Sequence, residues 1–101
     1  MPTIEQLQDL LQKEPRDAFL NFGLAMSYRS AGRTEEALAQ FDLTLEIDPN
    51  YIAAFFHKGQ LQAQVSDIEG ARATLTAGIE TAKKVGDGHA EGEMKEFMEG
   101  L

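Results

Sequence analysis

Apolar residues in this chain return at the three- and four-residue spacing of an amphipathic helix over residues 17–30, 34–47, 51–64 and 68–84. The residues between these runs carry the signals that start and stop helices. Asp17 and Asn50 stand where a side-chain oxygen would cap free backbone N–H groups. Gly32 is placed to end one helix in a left-handed turn before Thr34-Glu35-Glu36 opens the next, its acids favourable to the helix dipole. Ser66 occupies the place of that glycine further on, and Ser66 with Glu69 has the spacing of a capping box.

A longer period organises these helices. Pro15 and Pro49 stand 34 residues apart, each preceded by an acid, Glu14 and Asp48. The same spacing relates Leu11, Leu45 and Ile79, then Leu7, Phe41 and Leu75, then Thr3, Ala37 and Ala71, and the small residues Ala25 and Gly59. Several series in one register define a repeat of two helices. Segment 3–13 matches the second helix of that unit and reads as half a repeat. Gly86-Asp87-Gly88 breaks the period. A last helix over 88–99 presents Ala90, Met94, Phe97 and Leu101 on one stripe, with Glu91, Glu93, Lys95 and Glu96 largely off it. An amphipathic helix in that place closes the open end of a stacked array.

Composition narrows the function classes. With 101 residues, 43% apolar and 26% charged, the chain has room for one globular domain. There is no cysteine, hence no disulfide, thiolate metal site or cysteine nucleophile, and the redox compartment stays open. The start Met1-Pro2-Thr3-Ile4-Glu5 lacks the basic and then apolar run of a secretory signal, and no stretch has the length of a membrane span. A cytoplasmic protein is expected. The net charge is −8, with nine Lys and Arg among seventeen acids, which argues against nucleic acid and against anionic membrane surfaces as partners.

Residues 17–50 resemble a tetratricopeptide repeat, with Leu24-Ala25, Tyr28, Gly32, Ala37, Phe41 and Pro49 at its signature positions. Residues 52–84 resemble a second copy through Phe55, Gly59, Ala71, Leu75 and Ile79. With the half repeat and the terminal helix the resemblance covers nearly the whole chain, and the plan is similar to that of small stand-alone tetratricopeptide proteins of bacteria. It implies one domain over 1–101: a half-repeat helix at 3–13, repeats at 17–50 and 51–84, and a capping helix at 88–99. The fold it implies is all-α, a right-handed solenoid of about six antiparallel-stacked helices. Small residues at Ala25/Gly59 and Ala37/Ala71 are then required where paired helices approach. Asn21 stands where the family usually has an aromatic, with Phe22 beside it. Lys58, Gln62 and Gly78 replace larger or less polar residues in the second repeat, so a thinner core is expected there.

In this family the first helices of successive repeats line a concave, peptide-binding face. The resemblance places Phe19, Phe22, Met26 and Arg29 there from the first repeat, and Phe56, His57, Gln60 and Gln64 from the second. Phe22, Met26 and Phe56 would form an apolar floor, with Arg29, His57 and Gln60 as polar contacts; as floor residues, Phe22 and Phe56 should be removable at less than about 1.5 kcal/mol of stability. The competing reading packs some of these phenylalanines under the half repeat and leaves His57 as an exposed helix residue. A known tetratricopeptide mode clamps a chaperone's C-terminal carboxylate with Lys and Asn on this face. Phe22, Met26 and His57 occupy that ground here, so the clamp is not expected. His57 and His89 lie about one helical hairpin apart, too far for a metal pair. No calcium loop, phosphate loop or catalytic constellation is present, so neither metal nor cofactor nor enzymatic activity is expected. The expected partner is another protein or peptide. The alternative is self-association into a homodimer through the same surface or an end of the array.

Overall fold

The computed structural model describes residues 2–101. Six helices follow in order: α1 (Ile4–Lys13), α2 (Ala18–Ser30), α3 (Thr34–Ile47), α4 (Ile52–Gln64), α5 (Ile68–Val85) and α6 (Gly88–Glu99). Among the described residues there is no strand. The chain divides into two compact units, Met1–Tyr51 and Ile52–Leu101, and the division falls at the boundary of the 34-residue repeat.

In the first unit α2 and α3 form a helical hairpin, and α1 packs on α2. The core is Leu7, Leu24, Ala25, Tyr28, Ala37 and Phe41, with Asn21 and Thr44 as buried polar members. Ala25 and Ala37 have no exposed surface at all, as the close approach of paired helices requires.

In the second unit α4 and α5 form the hairpin and α6 packs on α5. Leu75, Ile79, Ala82 and Met94 make its centre, flanked by Ile52, Phe55, Phe56, Ala90, Phe97, Met98 and Leu101. The stripe read along the last helix therefore packs, and Met98 joins it. The glycines of this unit fill contact positions. A Cβ on Gly59 would lie 2.7 Å from Leu75 Cγ, and one on Gly78 would lie 2.7 Å from both Met94 Sδ and Phe55 Cβ. Gly78 is thus the contact that lets α4 and α6 both close on α5.

Three of the five interhelical turns each rest on one left-handed residue: Gly32 at φ +74°, Ser66 at φ +69° and Gly86 at φ +79°. At the first, the Gly32 N–H donates to the Arg29 carbonyl at 3.1 Å and the Arg33 N–H to the Tyr28 carbonyl at 2.9 Å. At the second, Ser66 donates to Ala63 at 3.0 Å and Asp67 to Gln62 at 2.8 Å. These paired bonds satisfy the last carbonyls of each helix.

Two expectations about caps are corrected. Ser66 does not cap α5, because it sits in the left-handed turn, whereas an N-cap residue needs extended backbone. Asp67 takes that role, its carboxylate accepting from the Gly70 N–H at 3.0 Å. Asn50 stands one residue too early, since α4 begins at Ile52; its own N–H donates to the Asp48 carboxylate at 3.0 Å. Asp17 does cap α2, accepting from Leu20 N–H at 2.9 Å. Thr3 and Gln6 form a reciprocal capping box on α1, so Thr3 is a cap where Ala37 and Ala71 are packing residues.

Candidate functional site

Helix α2 carries two neighbouring stripes. Asn21, Leu24, Ala25 and Tyr28 are buried, and Phe22, Met26 and Arg29, each one residue from a member of that set, are half-buried beside them. The first stripe is held between helices, with Gln40 of α3 donating to Asn21 Oδ1 and Gln8 of α1 to the Tyr28 hydroxyl at 3.1 Å, and the second runs along its edge. Phe22 is anchored at that edge: its ring centroid lies 6.0 Å from that of Phe41 and 5.1 Å from that of Tyr51. Burial pushes the Tyr51 phenol above its ordinary pKa, and the carboxylates of Asp48 and Asp17 add to the shift.

Phe19 belongs to a different neighbourhood. It is 72% exposed and lies at the mouth of an apolar cleft of about 220 Å³ formed with Leu7 and Leu10 of α1 and Gly23 of α2. Leu10 itself is 45% exposed.

In the second unit Phe56, His57 and Gln60 of α4 are half-buried and Gln64 is exposed. The Phe56 ring lies 6.3 Å from the His57 ring and meets Phe97 of α6 edge-on at 6.0 Å. Phe22 therefore packs on the buried Phe41 ring, and Phe56 on the half-buried Phe97 ring. The expectation of a cost below about 1.5 kcal/mol on truncation is raised accordingly, to about 2–3 kcal/mol, short of the 3–5 typical of a fully buried Phe.

The side chains that sequence reasoning passed over are Tyr51, Phe97 as the neighbour of Phe56, and the Leu10–Phe19 cleft. Tyr51 stands one period after Asp17, so the repeat gave no aromatic to match it. Leu10 did carry a signal. Its counterparts one and two periods on are Thr44 and Gly78, and a leucine at a small-residue position is a misfit with a meaning.

Among the described residues the buried polar side-chain atoms are all partnered. Asn21 donates from Nδ2 to the carbonyls of Pro15 at 3.2 Å and Asp17 at 2.8 Å, and its Oδ1 accepts from Gln40 Nε2. Gln62 Oε1 accepts from the Thr74 hydroxyl at 2.6 Å. The exposed charges pair locally: Arg33 holds Glu36 through two bonds of 2.7 and 2.6 Å, and Lys95 holds Glu91 at 2.7 Å. The Lys95 hydrogen bond lowers the Glu91 pKa. Such surface pairs add little to stability. Among the described residues no helix is long and apolar enough to cross a membrane.

No family model matches the chain. It is 37% identical over 98 residues to a TPR repeat-containing protein of Pseudomonas aeruginosa, which covers 97% of this chain and 93% of that protein. The solution NMR structure of a tetratricopeptide repeat domain protein from Salinibacter ruber is similar at a TM-score of 0.78 and 28% identity, over 83% of this chain and 85% of that one. The TPR2B domain of yeast Sti1, in its complex with pHsp70, is similar at a TM-score of 0.87 and 23% identity, over 94% of this chain and 76% of that one. At that identity the likeness is one of fold.

Proposed function

Because the chain belongs to the tetratricopeptide repeat family, we propose that it is a protein-interaction module that holds a peptide or helix of a partner protein on the first helix of a repeat, α2 in the first unit. The observation that carries this reading is the second stripe of α2. Phe22, Met26 and Arg29 run beside the core stripe and are only half-buried, so each keeps part of its apolar or cationic surface accessible. Aromatic and methionine side chains suit an apolar segment whose sequence can vary. On α4, Phe56, His57 and Gln60 supply the same mixture of ring and polar groups. Similarity to the Sti1 domain in its complex with pHsp70 supports the same use of the fold without naming a partner here.

Met26 and Arg29 give the cleanest test, because neither is a buried core residue. In a pull-down from the cells that make the protein, Met26→Glu and Arg29→Ala should each lower retention of the partner while the melting temperature stays within a few degrees of the parent. Undiminished retention by both variants would put binding on another surface. A chain that runs as a stable dimer and captures nothing else would favour self-association.

A further inference from the structure

The chain's own period shows what covers a second helix. Leu10, Thr44 and Gly78 stand at one place in the repeat, on α1, α3 and α5. Thr44 is fully buried in the α2–α3 unit. Gly78 lies under Phe55 of α4 so closely that a Cβ there would come 2.7 Å from Phe55 Cβ. At Gly78 the hairpin's first helix thus lies over the second, and Met94 of the following helix is as close, at 2.7 Å. Helix α1 is a second helix by register, and its substantial packing within the described residues is on α2. Leu10, the largest of the three residues, is correspondingly 45% exposed, and Phe19 beside it is 72% exposed. Pro2, Leu7, Leu10, Phe19, Gly23 and Ser27 line a cleft of about 220 Å³ with almost wholly apolar walls. Gly23 keeps its floor open: a Cβ there would be at ordinary contact, 3.7 Å from Leu7.

We propose that this cleft receives a basic amphipathic helix of another protein, laid along α1 as α2 lies on α3 and α4 on α5. Size sets its pattern. Leu10 fills the space that Gly78 leaves to Phe55, so the docking helix needs a small residue against Leu10 and a large apolar residue one turn away, over Gly23. Charge sets its sign. Helix α1 and the turn that follows it carry Glu5, Asp9, Glu14 and Asp17 against Lys13 and Arg16, and the chain as a whole carries −8. That field draws a cationic helix and repels a second copy of this chain. The surface is distinct from the Phe22–Met26–Arg29 stripe, and the two are tested apart.

The test is an amide NMR titration of the isotope-labelled 101-residue chain with a synthetic helical peptide of Leu, Ala and Lys, its leucines at i, i+3, i+4 and i+7. Saturable shifts should centre on Leu10, Phe19 and Gly23. A matched peptide with Glu in place of Lys should bind at least about tenfold more weakly. Phe19→Ser leaves the charge unchanged and truncates an exposed side chain, so a loss of about tenfold or more in this variant assigns binding to the cleft rather than to net charge. The proposal is overturned by the absence of saturable shifts at these amides, by equal binding of the two peptides, by full binding to Phe19→Ser, or by concentration-dependent shifts of the same amides without peptide, which would mark a second copy as the occupant. Shifts centred on Met26 and Arg29 instead would overturn it too, and would leave the reading of the α2 stripe standing.

Discussion

Ser66 repeats the backbone of Gly32 one period later: φ is +69° at the serine and +74° at the glycine, and both turns close with the same pair of hydrogen bonds. A residue with a Cβ pays roughly 1–2 kcal/mol for that conformation, whereas glycine does not. Ser66→Gly should therefore stabilise the protein by about 1 kcal/mol, raising the melting temperature by roughly 4–8 °C. Gly32→Ala should lose a similar amount. Thermal unfolding checks both, and a neutral Ser66→Gly would mean that the serine is not strained in this turn.

The helical glycines divide by what stands opposite them. Alanine is the better helix former by about 0.8–1 kcal/mol, and nothing lies within 4 Å of a Cβ at Gly92. Gly92→Ala should stabilise by up to that amount. At Gly59 and Gly78 the new methyl would come 2.7 Å from Leu75 Cγ and from Met94 Sδ, so both substitutions should destabilise by about 1–3 kcal/mol despite the propensity gain. Urea unfolding of the three variants reads out the sign. Stabilisation at Gly78 would show that α4 and α6 do not close on α5 as described.

The helices themselves were legible because two periods agree. Spacing of three and four residues places each helix, and the 34-residue register fixes its partner, so α3 begins at Thr34 and α6 at Gly88 as read. What stayed hidden involves residues without a counterpart one period away. Phe97 follows the break at residue 86, and Tyr51 aligns with Asp17, so neither the Phe56–Phe97 nor the Phe22–Tyr51 contact could be inferred from the repeat. Ser66 misled for a local reason. A serine just before an aspartate reads as a cap, and only the backbone shows that the cap is the aspartate. Asn21 looked like a deficiency in the core because an aromatic was expected there. In the structure it is a junction of three hydrogen bonds.

That junction is itself testable. Asn21 is 1% exposed and ties the α1–α2 turn to Gln40 of α3. Asn21→Ala should cost about 2–3 kcal/mol, since it strands buried polar partners. Gln40→Ala, at a half-buried position that water can reach, should cost less than about 1.5. Chemical denaturation orders the two. An Asn21 variant as stable as the parent would show that the network adds nothing to the fold.

Helix α6 is a structural member of the second unit. Met94 is fully buried among Leu75, Ile79 and Ala82, so Met94→Ala should destabilise by about 2–5 kcal/mol. Truncation after Val85 uncovers that cluster and should abolish cooperative melting of residues 52–85. A truncated chain that melts near the full-length temperature would show the helix to be dispensable.

The central claim is that a partner protein rests on the α2 stripe, and site-specific photo-crosslinking in the native cell tests it most directly. A photoreactive phenylalanine analogue at position 26, on that stripe, is compared with one at position 46, on the exposed side of α3. Irradiation should give a discrete adduct with another protein from position 26 and none from position 46. Equal adducts from both positions, no adduct at position 26, or an adduct consisting only of two copies of this chain would contradict the claim.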